Sequence, residues 1–287
     1  MIDFTKAKEE INTYSGSEKK KTLIIHNKRY LVKFPDPIRE KNKNISYINN
    51  AFSEYIGSNI FRLCGFNVQS TILGKYYYND KDKVVCGCED FTDENHILCE
   101  FEDIALSINT DKRIGNEISD IIETFDDMKD IINTEDTKNS FWDMFIIDAL
   151  IGNTDRHNGN FGFILNKETN EFKFSPIYDC GSCLNPMLSD EDIKSLNDTE
   201  IKNLAINSYS CLKENDKKIN PLSYIKNNKN IDTTKALLRV FNKININEIN
   251  SFIDNINVLS TERRDFYKNI INIRYNILKD TYNKLTR

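Results

Sequence analysis

Between residues 153 and 160 the chain places a carboxylate (Asp155), a guanidinium (Arg156), an imidazole (His157) and a carboxamide (Asn160), next to glycines at Gly152 and Gly159. A second carboxylate, Asp179, opens the triplet Asp179-Cys180-Gly181, nineteen residues after Asn160. Side chains of these types can take a proton from a hydroxyl, offer hard oxygen ligands to Mg2+ and offset negative charge. Together they are what phosphoryl transfer from ATP asks of a protein: a carboxylate at the attacking hydroxyl, oxygen ligands for Mg2+, a cation on the phosphates and a loop over them. Taken singly, Asp155 reads equally well as a turn or helix-capping acid.

Spacing narrows the choice. A kinase catalytic loop sets its Asp five residues before an Asn that binds Mg2+, and Asp155 and Asn160 have that separation. A further Mg2+ carboxylate is expected beyond a hairpin, where Asp179 stands. The order of helix, loop, hairpin and Asp-x-Gly is more specific than either motif.

The elements that must hold these residues follow from periodicity. Residues 139–151 predict a helix with the apolar stripe Phe141, Trp142, Phe145, Ile146, Ala149 and Leu150, running straight into Gly152. Residues 161–165 and 171–174 predict a hairpin. Upstream, 22–26 and 29–34 read as strands about a tight turn at Asn27-Lys28, stopped by Pro35 and Pro37. Lys33 lies at the end of the second strand, where a lysine is ordinarily an edge residue. Residues 47–64 have helical periodicity in Ile48, Phe52, Tyr55, Ile56, Ile60 and Leu63, with Gly65 as the stop and Glu54 inside. Residues 66–78 and 83–88 predict two more strands, left through Glu89-Asp90-Phe91. Residues 1–13 carry no specific signal, 92–110 read as irregular, 114–132 as helical and 182–200 as polar loop. Helices are expected at 201–213, 219–227, 231–243, 246–258 and 261–285. The expected class is α+β in two lobes: a β-rich N-lobe, 1–91, and a helical C-lobe, 92–287.

Bulk properties exclude several functions. A formal net charge of −5 over 287 residues supplies no basic excess for binding nucleic acid by itself. The run Lys19-Lys20-Lys21 is the one dense basic cluster and reads as a surface turn. Seven cysteines, an odd number in a long chain, predict reduced thiols rather than a disulfide framework. Cys86-x-Cys88 and Cys180-x-x-Cys183 have the look of metal half-sites, but no second pair completes a zinc site. The first ten residues lack the apolar core of a signal peptide, and no apolar run reaches the ~20 residues of a membrane helix. No membrane partner is expected. The expected compartment is the cytoplasm, with an exported effector as the other reading.

Asp155-Arg156-His157-x-x-Asn160 followed by Tyr178-Asp179-x-Gly181 resembles the HipA-type serine/threonine kinases, whose loop puts the histidine after the aspartate; phosphatidylinositol kinases share the pattern. The resemblance extends to Tyr30-Leu31-Val32-Lys33-Phe34-Pro35, similar to the strand with the ATP-binding lysine, and covers about residues 14–181. It implies a bilobal protein-kinase-like fold with an all-α C-lobe, and ATP and Mg2+ as cofactors. It implies that Asp155 is the catalytic carboxylate, Asn160 and Asp179 ligate Mg2+, Lys33 grips the α/β-phosphates and Glu54 pairs with Lys33. His157 is placed against the γ-phosphate or the loop backbone, and Arg156 is structural. Ser15, Gly16 and Ser17 resemble the phosphate loop in which such kinases autophosphorylate, making Ser15 and Ser17 the candidates. Glu89 and Phe91 are placed at the adenine hinge by their backbone. Two departures stand out: that loop has a single glycine, and only about a dozen residues precede it, as in a minimal member without the extra N-terminal subdomain. Much of the surface for an antitoxin and for operator DNA would then be absent.

The leading expectation is a Mg2+/ATP-dependent protein kinase with a protein substrate and, in this family, an antitoxin or other regulatory partner. The alternatives are a lipid or small-molecule kinase using the same loop, and a non-enzymatic nucleotide-binding regulator.

Overall fold

The computed structural model describes residues 1–11, 19–36, 47–78, 80–108 and 115–287. The N-terminal part is built on a mixed sheet of β1 (Ile2–Asp3), β2 (Lys8–Glu10), β3 (Lys20–Ile25), β4 (Lys28–Lys33), β5 (Thr71–Tyr78) and β6 (Lys81–Glu89), in the order β1-β5-β6-β4-β3-β2. The turn between β3 and β4 consists of His26 and Asn27, at φ 50° and 60°. Two positive φ values in a two-residue hairpin match the twist of the flanking strands. The turn therefore sits one residue earlier than the sequence suggests. It also makes β4 a central strand, paired with β3 and β6. Lys33 is not an edge lysine: it is only 5% exposed.

The first eleven residues, which carry no signal in the sequence, supply the outer strands of this sheet. Between them Phe4 is fully buried in a small core with Leu23, Tyr30, Val32, Phe34 and Val85.

Helix α1 (Asn50–Leu63) packs on β5 and β6. It ends at Cys64, with Gly65 at φ 79°, a value that favours glycine. Its residues Ser53, Glu54, Gly57 and Ser58 are buried, and Ser53 Oγ donates to the Cys183 carbonyl at 2.6 Å. A Cβ on Gly57 would lie 2.7 Å from Cys180 Cβ and 3.0 Å from Cys183 Sγ. Glycine is what lets the turn after Asp179 lie against this helix.

The second part is mainly helical. It contains α2 (Phe101–Ile108), α3 (Ile118–Asp127), α4 (Thr134–Ile151), α5 (Asp190–Ser195), α6 (Asp198–Ile206), α7 (Pro221–Lys226), α8 (Ile231–Val240), α9 (Ile246–Asp254) and α10 (Thr261–Leu285). Its core runs around α4. Phe101, Phe125, Phe141, Phe161 and Phe163 meet there in edge-on and stacked pairs. Full burial of such a side chain contributes about 1.5–3 kcal/mol. The hairpin β8 (Gly162–Asn166) and β9 (Glu171–Phe174) gains a third strand, β7 (His96–Glu100).

Three stretches differ from the sequence reading. Within the stretch 92–110, expected to be irregular, residues 96–108 form β7 and α2; β7 is defined by its pairing with β8 rather than by alternation. The stretch 182–200 contains α5 and the start of α6, both with capping boxes, Ser189 with Asp192 and Asn197 with Glu200. The helix expected over 201–213 stops at Ile206. The chain then forms a hairpin of β10 (Lys213–Glu214) and β11 (Lys217–Lys218), turned by Asn215 and Asp216 at φ 54° and 62°.

Candidate active site

The loop after α4 is fixed from beneath. α4 ends in Gly152, in the left-handed region at φ 67°, and a Cβ there would run into the Arg274 guanidinium. Arg274, buried in α10, donates from Nη1 to the Ile151 carbonyl and from Nε to the Ala205 carbonyl, both at 2.9 Å. A cation at the carbonyl end of a helix also complements its dipole. Burial lowers the Arg274 guanidinium to about 10, so it remains charged at neutral pH.

Asp148 and Arg156 form the central strut. Arg156 donates from Nε to Asp148 Oδ2 at 2.9 Å and from Nη2 to Asp148 Oδ1 at 3.1 Å. Its Nη1 donates to the Asn160 carbonyl at 2.8 Å and to the Tyr178 carbonyl. One buried guanidinium thus ties the last turn of α4 to the Asn160 end of the active loop and to the residue before Asp179. Burial opposes its charge, but the Asp148 carboxylate more than offsets this and holds it well above its ordinary value. Asn153 Nδ2 donates to Asp148 at 3.0 Å, completing the acceptor shell.

Above this strut the predicted residues converge. Lys33 Nζ lies 2.7 Å from Glu54 Oε2 and 2.7 Å from Asp179 Oδ1. Glu54 is fully buried, and its Oε1 accepts from the Cys180 N–H at 3.0 Å. β4, α1 and the turn after β9 thereby share one charge cluster. Asp179 itself sits in the left-handed region, at φ 57°. Burial pushes its carboxyl up, but Lys33 outweighs that and holds it below the usual carboxylate range.

Asp155 is half-buried. Burial is the largest influence and raises its carboxyl above the usual range; His157 works against this, and the Asp179 charge adds to it. Asn160 Nδ2 donates to the Asp155 carbonyl at 2.6 Å, so the two loop residues are locked together. This commits the Asn160 amide N–H and leaves its Oδ1 as the acceptor end of the group. His157 Nδ1 accepts from the Gly159 N–H at 3.0 Å. That bond assigns the proton of the neutral ring to Nε2. Asn158 Nδ2 donates to the Gly115 carbonyl at 2.8 Å, and Tyr178 Oη to the Gly159 carbonyl at 3.2 Å.

The hinge residues are placed less simply. Glu89 ends β6, and its carbonyl accepts from Gln69 Nε2 at 3.1 Å while its side chain pairs with Lys28 at 2.8 Å. The Phe91 ring lies 6.0 Å from that of Tyr178. Ser15, Gly16 and Ser17 lie outside the described residues. Among the described residues, no cluster of three or more His, Cys, Asp or Glu side chains is placed to hold a metal ion, and no helix is long and apolar enough to cross a membrane. Burial pushes the Cys180 thiol up to about 12 and the Cys183 thiol well above its ordinary value.

Sequence reasoning gave no role to Asn153 or to Tyr178, although both stand in the motifs it used, and it missed Asp148 and Glu100. Asp148 had a signal: a carboxylate on the last apolar turn before a glycine needs a partner. Glu100, at the end of β7, has an Oε2 that a Cβ on Gly159 would approach to 3.4 Å. Burial, followed by Asp103 and Glu102, raises its carboxyl, and the nearby His157 works against this. No local pattern marked it, since its strand was not anticipated.

The oxygen chemistry fits Mg2+ held partly by nucleotide phosphates. Asp179 has a second carboxylate oxygen besides the one on Lys33, and Asn160 has its amide oxygen. Mg2+ is commonly bound by one or two such groups, with water and phosphate oxygens completing the shell.

A lysine paired with a helix glutamate, an Asp-to-Asn loop and an Asp-x-Gly turn between a β-rich and a helical part define a protein-kinase-like phosphotransferase. Residues 13–244 match the family model of the HipA-like C-terminal domain, and the chain belongs to that family. It is an enzyme of the serine/threonine-kinase class. The serine/threonine-protein kinase CtkA of Helicobacter pylori (strain J99) is 37% identical over 283 residues, spanning 95% of this chain and 85% of that protein. The crystal structure of the H. pylori proinflammatory kinase CtkA is similar at a TM-score of 0.89 and 34% identity, over 99% of this chain and 97% of that one.

Proposed function

We propose that the chain is a Mg2+- and ATP-dependent protein serine/threonine kinase of the HipA type. The observation that carries this reading is Lys33 meeting both Glu54 and Asp179 at 2.7 Å, above a loop in which Asn160 is bonded to Asp155. In this reading Lys33 holds the α/β-phosphates and Glu54 fixes its rotamer. Asp179 and Asn160 hold Mg2+, which when bound neutralises charge on the transferring phosphoryl group.

Asp155 orients the serine or threonine hydroxyl and takes its proton as the oxygen–phosphorus bond forms and ADP departs. Its raised carboxyl suits a base that must later release that proton. His157 Nε2–H is available to the γ-phosphate side while Nδ1 is committed to the loop. Arg156 positions and does not touch the reactants. Phe91 and the Glu89 end of β6 border the adenine site. Ser15 and Ser17 are the sites of autophosphorylation in the same proposal.

The test is incorporation of label from γ-labelled ATP, with Mg2+, into serine or threonine of the protein itself and of a panel of protein acceptors, run beside phosphoinositide vesicles. Label on protein, with phosphate at Ser15 or Ser17 by mass spectrometry, is expected. Label confined to lipid or to a small molecule would overturn the protein-kinase reading; ATP binding without turnover of any acceptor would replace it with a nucleotide-binding regulator.

A further inference from the structure

The β10–β11 hairpin is docked beside the catalytic loop. The Cys211 N–H donates to the Thr154 carbonyl at 2.9 Å, one residue from Asp155. Leu212 and Ser210 then bond to Ile219, at 3.0 Å each, and close the base of the hairpin. Its far side is held as firmly: the Lys213 N–H donates to the Asn116 carbonyl at 2.7 Å, and the Glu117 carboxylate accepts from the turn N–H groups of Asn215 and Asp216 at 2.5 and 3.2 Å. The hairpin is therefore a fixed wall of the site.

Its register puts Lys213 directly opposite Lys218, and Glu214 opposite Lys217. Opposed residues share a face, so Lys213 and Lys218 stand side by side. Two like charges directly opposed destabilise a strand pair, and among the described residues neither ammonium has a carboxylate within ion-pair distance. The Glu214 carboxylate is engaged elsewhere, accepting from Tyr224 Oη at 3.0 Å. Lys218 is exposed and near enough for its charge to act on the Asp155 carboxyl. In a chain of net charge −5, this is a local cationic pair at the edge of the site.

We propose that Lys213 and Lys218 form a substrate-specificity site that receives a carboxylate side chain flanking the serine or threonine acceptor of a protein substrate. The proposal rests on the kinase reading above. A carboxylate between two ammonium groups removes their mutual repulsion and orients the acceptor hydroxyl towards Asp155. Lys217, on the opposite face, takes no part.

Single-acceptor peptides carrying Asp, Ala or Lys at each flanking position in turn test this. The wild type should favour an Asp-flanked peptide over its Ala counterpart in kcat/KM, mainly through KM. Lys213→Ala/Lys218→Ala should reduce that ratio by about five- to tenfold, as for two exposed charge pairs. Lys213→Glu/Lys218→Glu should reverse it towards Lys-flanked peptides, and Lys217→Ala should leave it unchanged. Equal wild-type turnover of Asp-, Ala- and Lys-flanked peptides, or an Asp preference that survives the double variant, would overturn the site and leave the kinase reading standing. If no peptide or protein accepts phosphate from ATP, the kinase reading itself has failed and this site fails with it.

Discussion

Lys33 and Asp179 meet at 2.7 Å although 146 residues separate them in the chain. The contact joins the central strand of the first sheet to the turn after β9. Glu54 completes it by accepting from Lys33 on one oxygen and from the Cys180 N–H on the other. The position of Asp179 is thus set by a lysine and a glutamate from the other part of the molecule, and the three should behave as one unit.

Replacing Glu54 tests that unit. Glu54→Ala removes a fully buried partner of Lys33 and strands the Cys180 N–H. Breaking one side of a buried ion pair costs roughly 3–5 kcal/mol, to be read from urea unfolding. Because Lys33 then loses its fixed rotamer, KM for ATP should rise as well. Glu54→Gln retains an acceptor for Cys180 and should lose less stability.

Arg156 should prove structural. Arg156→Met leaves the Asp148 carboxylate buried without its guanidinium, again a loss of roughly 3–5 kcal/mol. Arg156→Lys should not restore it, since a point charge cannot reach Asp148 and the Asn160 and Tyr178 carbonyls together. In the double-mutant cycle with Asp148→Leu, the second substitution should cost much less than it does alone.

Asp155 trades stability for chemistry. Its carboxyl is raised in the folded state, so the native protein holds that proton to higher pH than the unfolded chain. The associated stability is present in full below the ordinary carboxylate value of about 3.9 and is lost as pH rises through the raised folded value. Asp155→Asn should therefore melt at a higher temperature than wild type at neutral pH, with the difference vanishing in acid. Catalysis runs the other way: wild-type kcat should climb with pH as Asp155 ionises. A variant that melts lower than wild type at pH 7 would contradict this.

Gly57 offers a test remote from the reacting groups. Gly57→Ala drives a methyl to 2.7 Å from Cys180 Cβ, and overpacking of this kind costs about 1–3 kcal/mol. The turn carrying Asp179 must shift, so kcat should fall while the affinity of the variant for adenosine, which needs no Mg2+, stays near wild type.

The loop 153–160 and Asp179 were legible because their chemistry is local and their spacing is kept by a helix, a turn and a hairpin. Lys33 and Glu54 were not legible from the residues alone. Each has an ordinary reading, Lys33 as an edge lysine and Glu54 as an exposed helix acid; the pairing of β4 between β3 and β6 buries the first, and the packing of α1 on β5, β6 and the turn after Asp179 buries the second. Resemblance to a family supplied what periodicity lacked. β7 escaped because its residues do not alternate, and the strand exists through its neighbour β8. The capping boxes of α5 and α6 are present in the sequence as Ser189-x-x-Asp192 and Asn197-x-x-Glu200, but the polarity of the stretch masks them. The β10–β11 hairpin was hidden by a run that looks helical until Asn215-Asp216 is read as a turn.

The most direct measurement of the central claim is phosphotransfer from γ-labelled ATP by wild type and Asp155→Asn, with Mg2+-ATP binding to each measured by calorimetry. Asp155→Asn should bind Mg2+-ATP about as tightly as wild type and transfer phosphate on the order of 100- to 10 000-fold more slowly, the usual contribution of a positioned general base. Equal rates of labelling by the two proteins would contradict the account.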